Sequence, residues 1–148
     1  MSAEKDMLRC TLLKNQHRFY RKDSQRVCER AYAEIDWTTI QTVLLYQPLK
    51  PEIDPQRLHA LLRQRGISVD IVPMSKYAEW PNTFYDCIVI PIIGYNIENF
   101  RIGRGGGWYD ILLARQPQAL SIGLAHYDTK VVFTPEPHDI PLTHIFTV

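Results

Sequence analysis

The sequence predicts an α/β fold with a mostly parallel central sheet covered on both faces. Two observations carry that prediction: apolar, β-branched runs too short to be helices, and helix-period segments lying between them. A third says where a ligand would sit. Four glycines fall within five positions shortly after the most apolar run, and open α/β sheets bind at the carboxyl ends of their strands.

The first third reads as helix. Over residues 3–20, Met7, Leu8, Thr11 and Leu12 recur at helical spacing among lysines and arginines. Asp23 or Ser24 supplies an N-cap for a second helix through Ala33, with Val27, Ala31 and Tyr32 on one face. TVLLY at 42–46 is the first strand, and Pro48 and Pro51 force a turn or extended loop after it. Asp54 caps a helix that Pro55 starts, running to Arg65 and stopping at Gly66. Further strands follow at 69–72, at 87–93 (CIVIPII, with Pro91 at its end or at a bulge), at 120–125 and at 144–148.

Composition bounds the function classes. At 148 residues the chain fits one domain, residues 1–148, and its formal net charge of +1 excludes a dominant nucleic-acid field. The longest apolar runs are far too short to cross a bilayer, and the first residues lack the apolar core of a signal peptide. Cys10, Cys28 and Cys87 are odd in number, widely spaced and in regular segments, which fits reduced, partly buried thiols and makes a cytoplasmic protein the default.

The glycine-rich stretch is Arg101-Ile102-Gly103-Arg104-Gly105-Gly106-Gly107-Trp108-Tyr109-Asp110. Trp108, Ile111, Leu112 and Arg115 then give a helical stripe, so the glycines lead into a helix start. Such a start presents unpaired N–H groups and partial positive charge to an anion, and Arg101 and Arg104 add donors that match phosphate oxygens. A flexible surface turn is the plainer alternative. The stretch is not a P-loop, since no Lys-Ser/Thr follows, and it lacks the strict dinucleotide spacing. Asp110, in the first helical turn, either complements the helix dipole or holds Mg²⁺ together with a second carboxylate. Asp139, in a proline-flanked loop, is the candidate second ligand. His17, His59, His126, His138 and His144 show no metal-ligand spacing, and His126 reads as a packed imidazole.

RIGRGGGWYD after the YDCIVIPIIGYN strand resembles the 5-formyltetrahydrofolate cyclo-ligase family. SIGLAHYD and TPEPHDIPLTHIFT resemble its closing segments in the same order. Lys5 to Arg9 is similar to its K-x-x-L-R opening, and Pro51-Glu52-Ile53-Asp54 to its middle stretch. The resemblance implies a three-layer α/β/α fold and an ATP- and Mg²⁺-dependent conversion of 5-formyltetrahydrofolate to 5,10-methenyltetrahydrofolate through a phosphorylated formyl intermediate. It implies ATP contacts for Lys5, Arg9, Arg101, Ile102, Gly103, Arg104, Gly105, Gly106, Gly107, Trp108 and Tyr109, with Arg104 and Tyr109 catalytic. Arg104, Gly105, Gly106, Gly107 and Trp108 would also border the folate, Glu52 would bind its pterin, and Asp110 and Asp139 would hold Mg²⁺. The implied partners are ATP and the folate, without nucleic acid or membrane, for a monomer or weak homodimer.

Three departures stand out. Trp108 replaces the first Tyr of the family's Gly-Tyr-Tyr-Asp stretch, Ile111 replaces an Arg frequent in bacterial members, and the segment 74–84 is much shorter than usual. Tyr77, Trp80 and Phe84 are the aromatics left there to wall a folate pocket. The shortening keeps two alternatives in view: an enzyme of this fold with another acceptor, and a non-catalytic nucleotide- or folate-binding protein.

Overall fold

The structure is a computed structural model and describes residues 2–14, 21–72 and 83–148. Five parallel strands form the main sheet: β1 (Thr42–Tyr46), β2 (Ser68–Val72), β3 (Cys87–Pro91), β6 (Leu120–Leu124) and β7 (His144–Phe146), in the order β2-β1-β3-β6-β7. A two-stranded antiparallel hairpin, β4 (Gly94–Tyr95) with β5 (Arg101–Ile102), stands beyond the end of β3. The helices are α1 (Ala3–Lys14), α2 (Arg21–Glu34), α3 (Gln56–Gln64) and α4 (Trp108–Arg115). β3 is buried at every position, as a central strand covered on both faces must be.

Each element follows from its residues with a few corrections. α1 is described only to Lys14, and the remainder of the helix expected to Tyr20 lies outside the described residues. α2 starts ahead of both candidate caps. Ser24 is instead turned inward, 2% exposed, and its Oγ accepts the Asp54 N–H at 3.0 Å. The Asp54 carboxylate accepts the Gln56 N–H at 3.0 Å at the start of α3. At the other end Gly66, at φ +86°, lets Ile67 N–H return to Leu62 C=O at 3.0 Å, an exit that needs the left-handed region. Strand β3 stops at Pro91, whose ring removes the next ladder donor.

The expected stripe on α4 is out of phase. Tyr109, Leu112 and Leu113 face the core, while Ile111 is 46% exposed. The helix begins at Trp108 from the left-handed Gly107 (φ +70°), and this entry angle turns Tyr109 inward. Val27, Cys28 and Ala31 of α2, Leu58 and Leu62 of α3, and the strand interiors make one core. A second, smaller cluster joins Ile93, Ile102 and Phe133 to Leu8, Leu12 and Leu13 of α1. No described helix is long and apolar enough to cross a membrane.

Candidate active site

The loops that leave β1 and β3 at their carboxyl ends converge. The first carries Glu52, and the second passes through the β4–β5 hairpin into the glycine-rich loop. Arg101 is the first residue of β5, and the hairpin fixes it: Nη1 donates to Pro91 C=O at 3.1 Å and the guanidinium lies 5.1 Å from the Tyr109 ring centre. Its Nε is buried without a hydrogen-bond partner among the described residues. A Cβ at Gly103 would run into Nη1 and lie 2.9 Å from Cζ, so glycine is required for this approach. Burial pulls the Arg101 pKa down, and the nearby Asp110 is the main opposing influence.

Two cavities abut along this loop. One, about 160 Å³, is lined by Leu49, Glu52, Pro91, Arg101, Arg104, Gly105, Gly106, Gly107, Trp108 and Tyr109. The other, about 40 Å³, is lined by Lys5, Arg9, Arg101, Gly103, Gly105, Gly107, Asp110, His138 and Asp139. Arg101, Gly105 and Gly107 belong to both walls. A larger open concavity of about 800 Å³ lies at the opposite, amino edge of the sheet, beside Asp86 and Leu120. Phe84, 75% exposed, lines that one and stands away from the glycine-rich loop. Tyr77 and Trp80 lie outside the described residues.

In the smaller cavity, one ligand atom each from Asp110, His138 and Asp139 lies within 4.8 Å of the others. The two expected carboxylates are brought together, and the reading of the histidines as unrelated to any metal grouping is corrected by His138. Its adjacency to Asp139 was the available signal, since spacing among histidines alone could not show it. Burial raises the Asp110 pKa, with Asp139 adding to the rise and Arg101 opposing it. Burial also pushes Asp139 upward, but the hydrogen bonds from Lys5 and the Glu136 N–H outweigh it and leave Asp139 below its ordinary value.

Lys5 is 6% exposed and its ammonium is held by Asp139, with Glu136 at 3.9 Å. Arg9 donates from Nε to Gly103 C=O at 2.5 Å and pairs with Asp6 at 2.6 Å. α1 is therefore pinned to the site by its polar face. Further contacts from Ser2 N–H to Glu136 (2.7 Å) and from Thr134 N–H to Glu4 (2.6 Å) complete that docking. Glu136 and the Pro91 carbonyl are positioning groups that sequence patterns did not expose.

In the larger cavity Glu52 is 5% exposed. One carboxylate oxygen accepts the Leu49 N–H at 2.8 Å and the other faces Arg104 Nε at 3.3 Å. Burial raises the Glu52 pKa, against the Leu49 N–H and Arg104. Trp108 meets Tyr109 edge to face at 4.9 Å, giving the cavity an aromatic wall. Ile102 is buried in the small cluster at 1% exposure, so it props the loop rather than presenting a side chain to either cavity. His126 is packed as expected, with Nε2 3.0 Å from Pro51 C=O.

Fold and site together define an open-sheet α/β protein with adjoining acid-and-cation and aromatic-walled cavities at the carboxyl edge. The family model of the 5-formyltetrahydrofolate cyclo-ligases matches residues 73–148. The 5-formyltetrahydrofolate cyclo-ligase of Mycoplasma pneumoniae is 30% identical over 118 residues, spanning 70% of each chain. Its Mycoplasma genitalium counterpart is 32% identical over 117 residues, again 70% of each. Among solved structures, a 5,10-methenyltetrahydrofolate synthetase from Mycoplasma pneumoniae aligns over 97% of this chain and 98% of its own, at TM-score 0.83 and 26% identity. The Aquifex aeolicus synthetase shares the fold at TM-score 0.78 and 21% identity, over 97% and 89%. The chain belongs to the 5-formyltetrahydrofolate cyclo-ligase family.

Proposed function

We propose that this chain, as a single domain, closes 5-formyltetrahydrofolate to 5,10-methenyltetrahydrofolate at the expense of ATP, with Mg²⁺, releasing ADP and phosphate. Family membership supports the cyclo-ligase activity itself. The observation that supports the ATP-dependent route is the common wall of the two cavities, where Arg101, Gly105 and Gly107 face both. A phosphoryl donor in one and a formyl group in the other would meet at that wall.

On this reading the formyl oxygen attacks the γ-phosphorus and ADP leaves with the electrons of the broken P–O bond. N10 then attacks the activated carbon and loses its proton, and phosphate departs with the C–O electron pair. Such transfers ask chiefly for positioning and charge neutralisation. Arg101, Arg104 and the loop amides supply donors around the moving phosphoryl group, and Tyr109 backs the Arg101 guanidinium. Lys5 and Arg9 serve the nucleotide side. Trp108 offers a flat face to the folate, and Glu52 accepts pterin N–H groups. Asp110 and Asp139 would hold Mg²⁺, a hard cation suited to carboxylate oxygens, and their proximity fits it. When bound, that ion neutralises phosphate oxygens. On this reading the chain is a cytoplasmic monomer or weak homodimer, without nucleic acid or membrane.

The test mixes the protein with Mg-ATP and 5-formyltetrahydrofolate and follows the near-ultraviolet absorbance of the methenyl product. The rise should require ATP and fall by at least about 100-fold in Asp110→Asn. Wild-type turnover in that variant would remove Asp110 from the metal role.

A further inference from the structure

Arg104 stands on the glycine-rich loop, yet its guanidinium turns back across the larger cavity. Its Nε lies 3.3 Å from Glu52 Oε2, and its Nη2 donates to Lys50 C=O at 2.5 Å. The other Glu52 oxygen is already taken by the Leu49 N–H. The carboxylate side chain is 5% exposed, whereas that of Arg104 is 37% exposed. A buried carboxylate left without donors is strongly unfavourable, and Arg104 supplies them to Glu52.

We propose that Arg104 is an internal stand-in for the pterin ring, displaced by the arriving folate and thereby released to the nucleotide, so that the two substrates bind cooperatively. This rests on the reading of Glu52 as the pterin acceptor. A guanidinium offers neighbouring N–H donors in one plane, and so do the amino group and ring N–H of a pterin. The two compete for the same Glu52 oxygen. The neighbours of Arg104 on either side, Gly103 and Gly105, line the smaller cavity, so its backbone sits at that cavity's rim and a displaced side chain can swing toward it. Phosphate oxygens are its natural next partner. By linkage, nucleotide that captures Arg104 also raises folate affinity by the same factor.

The experiment titrates the Mg²⁺ complex of the β,γ-imido analogue of ATP into the full chain by calorimetry, with and without 5-formyltetrahydrofolate. Wild type should bind the analogue roughly tenfold more tightly with folate present. Glu52→Gln keeps an acceptor for the Leu49 N–H and removes the charge that holds Arg104, leaving it only the Lys50 C=O, so it should bind the analogue more tightly without folate and gain less from it. Arg104→Ala combined with Glu52→Gln, which leaves no unpaired buried carboxylate, should bind weakly in both conditions. Equal affinity of Glu52→Gln and wild type for the analogue alone overturns the release. Wild type that forms methenyl product but shows no coupling leaves the assigned reaction standing and also overturns it. Absence of product, with tighter analogue binding in Glu52→Gln, supports the release and removes the folate assignment instead.

Discussion

Gly103→Ala and Gly106→Ala alter two glycines of one loop and should part sharply. A Cβ at residue 103 lands on Arg101 Nη1 and 2.9 Å from Cζ, whereas at residue 106 nothing lies within 4 Å. The Arg101 guanidinium is the far end of a long side chain, so it yields rather than the backbone. What it forfeits is the bond to Pro91 C=O and the face of Tyr109. Those contacts carry about 1.5–3 kcal/mol for a charged hydrogen bond and about 0.5–2 for the cation–π contact. The stiffer unfolded chain returns about 0.4–1 kcal/mol. A net loss of about 2 kcal/mol follows, or roughly 4–8 °C in melting temperature for a chain of this size. Turnover should suffer more, about 100-fold in kcat/KM, because the displaced guanidinium belongs to both cavity walls. Thermal denaturation and the methenyl absorbance assay read the two effects separately. Gly106→Ala should stay within about 0.5 kcal/mol of wild type. Indistinguishable behaviour of the two variants would refute the placement of Arg101 against Gly103.

The buried Cys28 thiol is pushed up from 9.0 to about 11, chiefly by desolvation. Between those values the unfolded chain releases the proton and the folded one keeps it, so stability present below pH 9 is lost as pH rises toward about 11. Denaturant titrations should show this as a wild-type decline steeper than that of Cys28→Ala by about 2–3 kcal/mol, and parallel profiles would contradict it. Ser24→Ala strips the Asp54 N–H of its acceptor and should cost about 1–3 kcal/mol in urea unfolding, with no change in the m-value.

Periodicity located every main-sheet strand to within two residues, because β-branched runs such as that of β3 have no stable alternative on a helix. It missed the β4–β5 hairpin, since two-residue strands have no period to detect, and that hairpin is what aims Arg101. The phase of α4 was also hidden. It depends on the left-handed Gly107, and the backbone angle of one glycine among four is not a sequence property. Asp110 and Asp139 were legible as chemistry, but the third member of their cluster, His138, became visible only when the fold closed a separation of 28 residues from Asp110. The Lys5–Asp139 and Arg104–Glu52 pairs were not legible at all. Each residue had been read by its own implied ligand, and nothing in composition says that the protein's own charges occupy one another meanwhile.

The docking of α1 also sets a timetable for synthesis. Lys5 waits for a partner 134 positions downstream, which at about 5–20 residues per second emerges from the ribosome on the order of ten seconds later. The twelve described residues of α1 are marginal as a helix alone in water, so their hold comes with that later contact. Strands β1, β2, β3 and β6, all upstream of Asp139, can pair first. The smaller cavity closes only when the segment around Asp139 reaches back to α1.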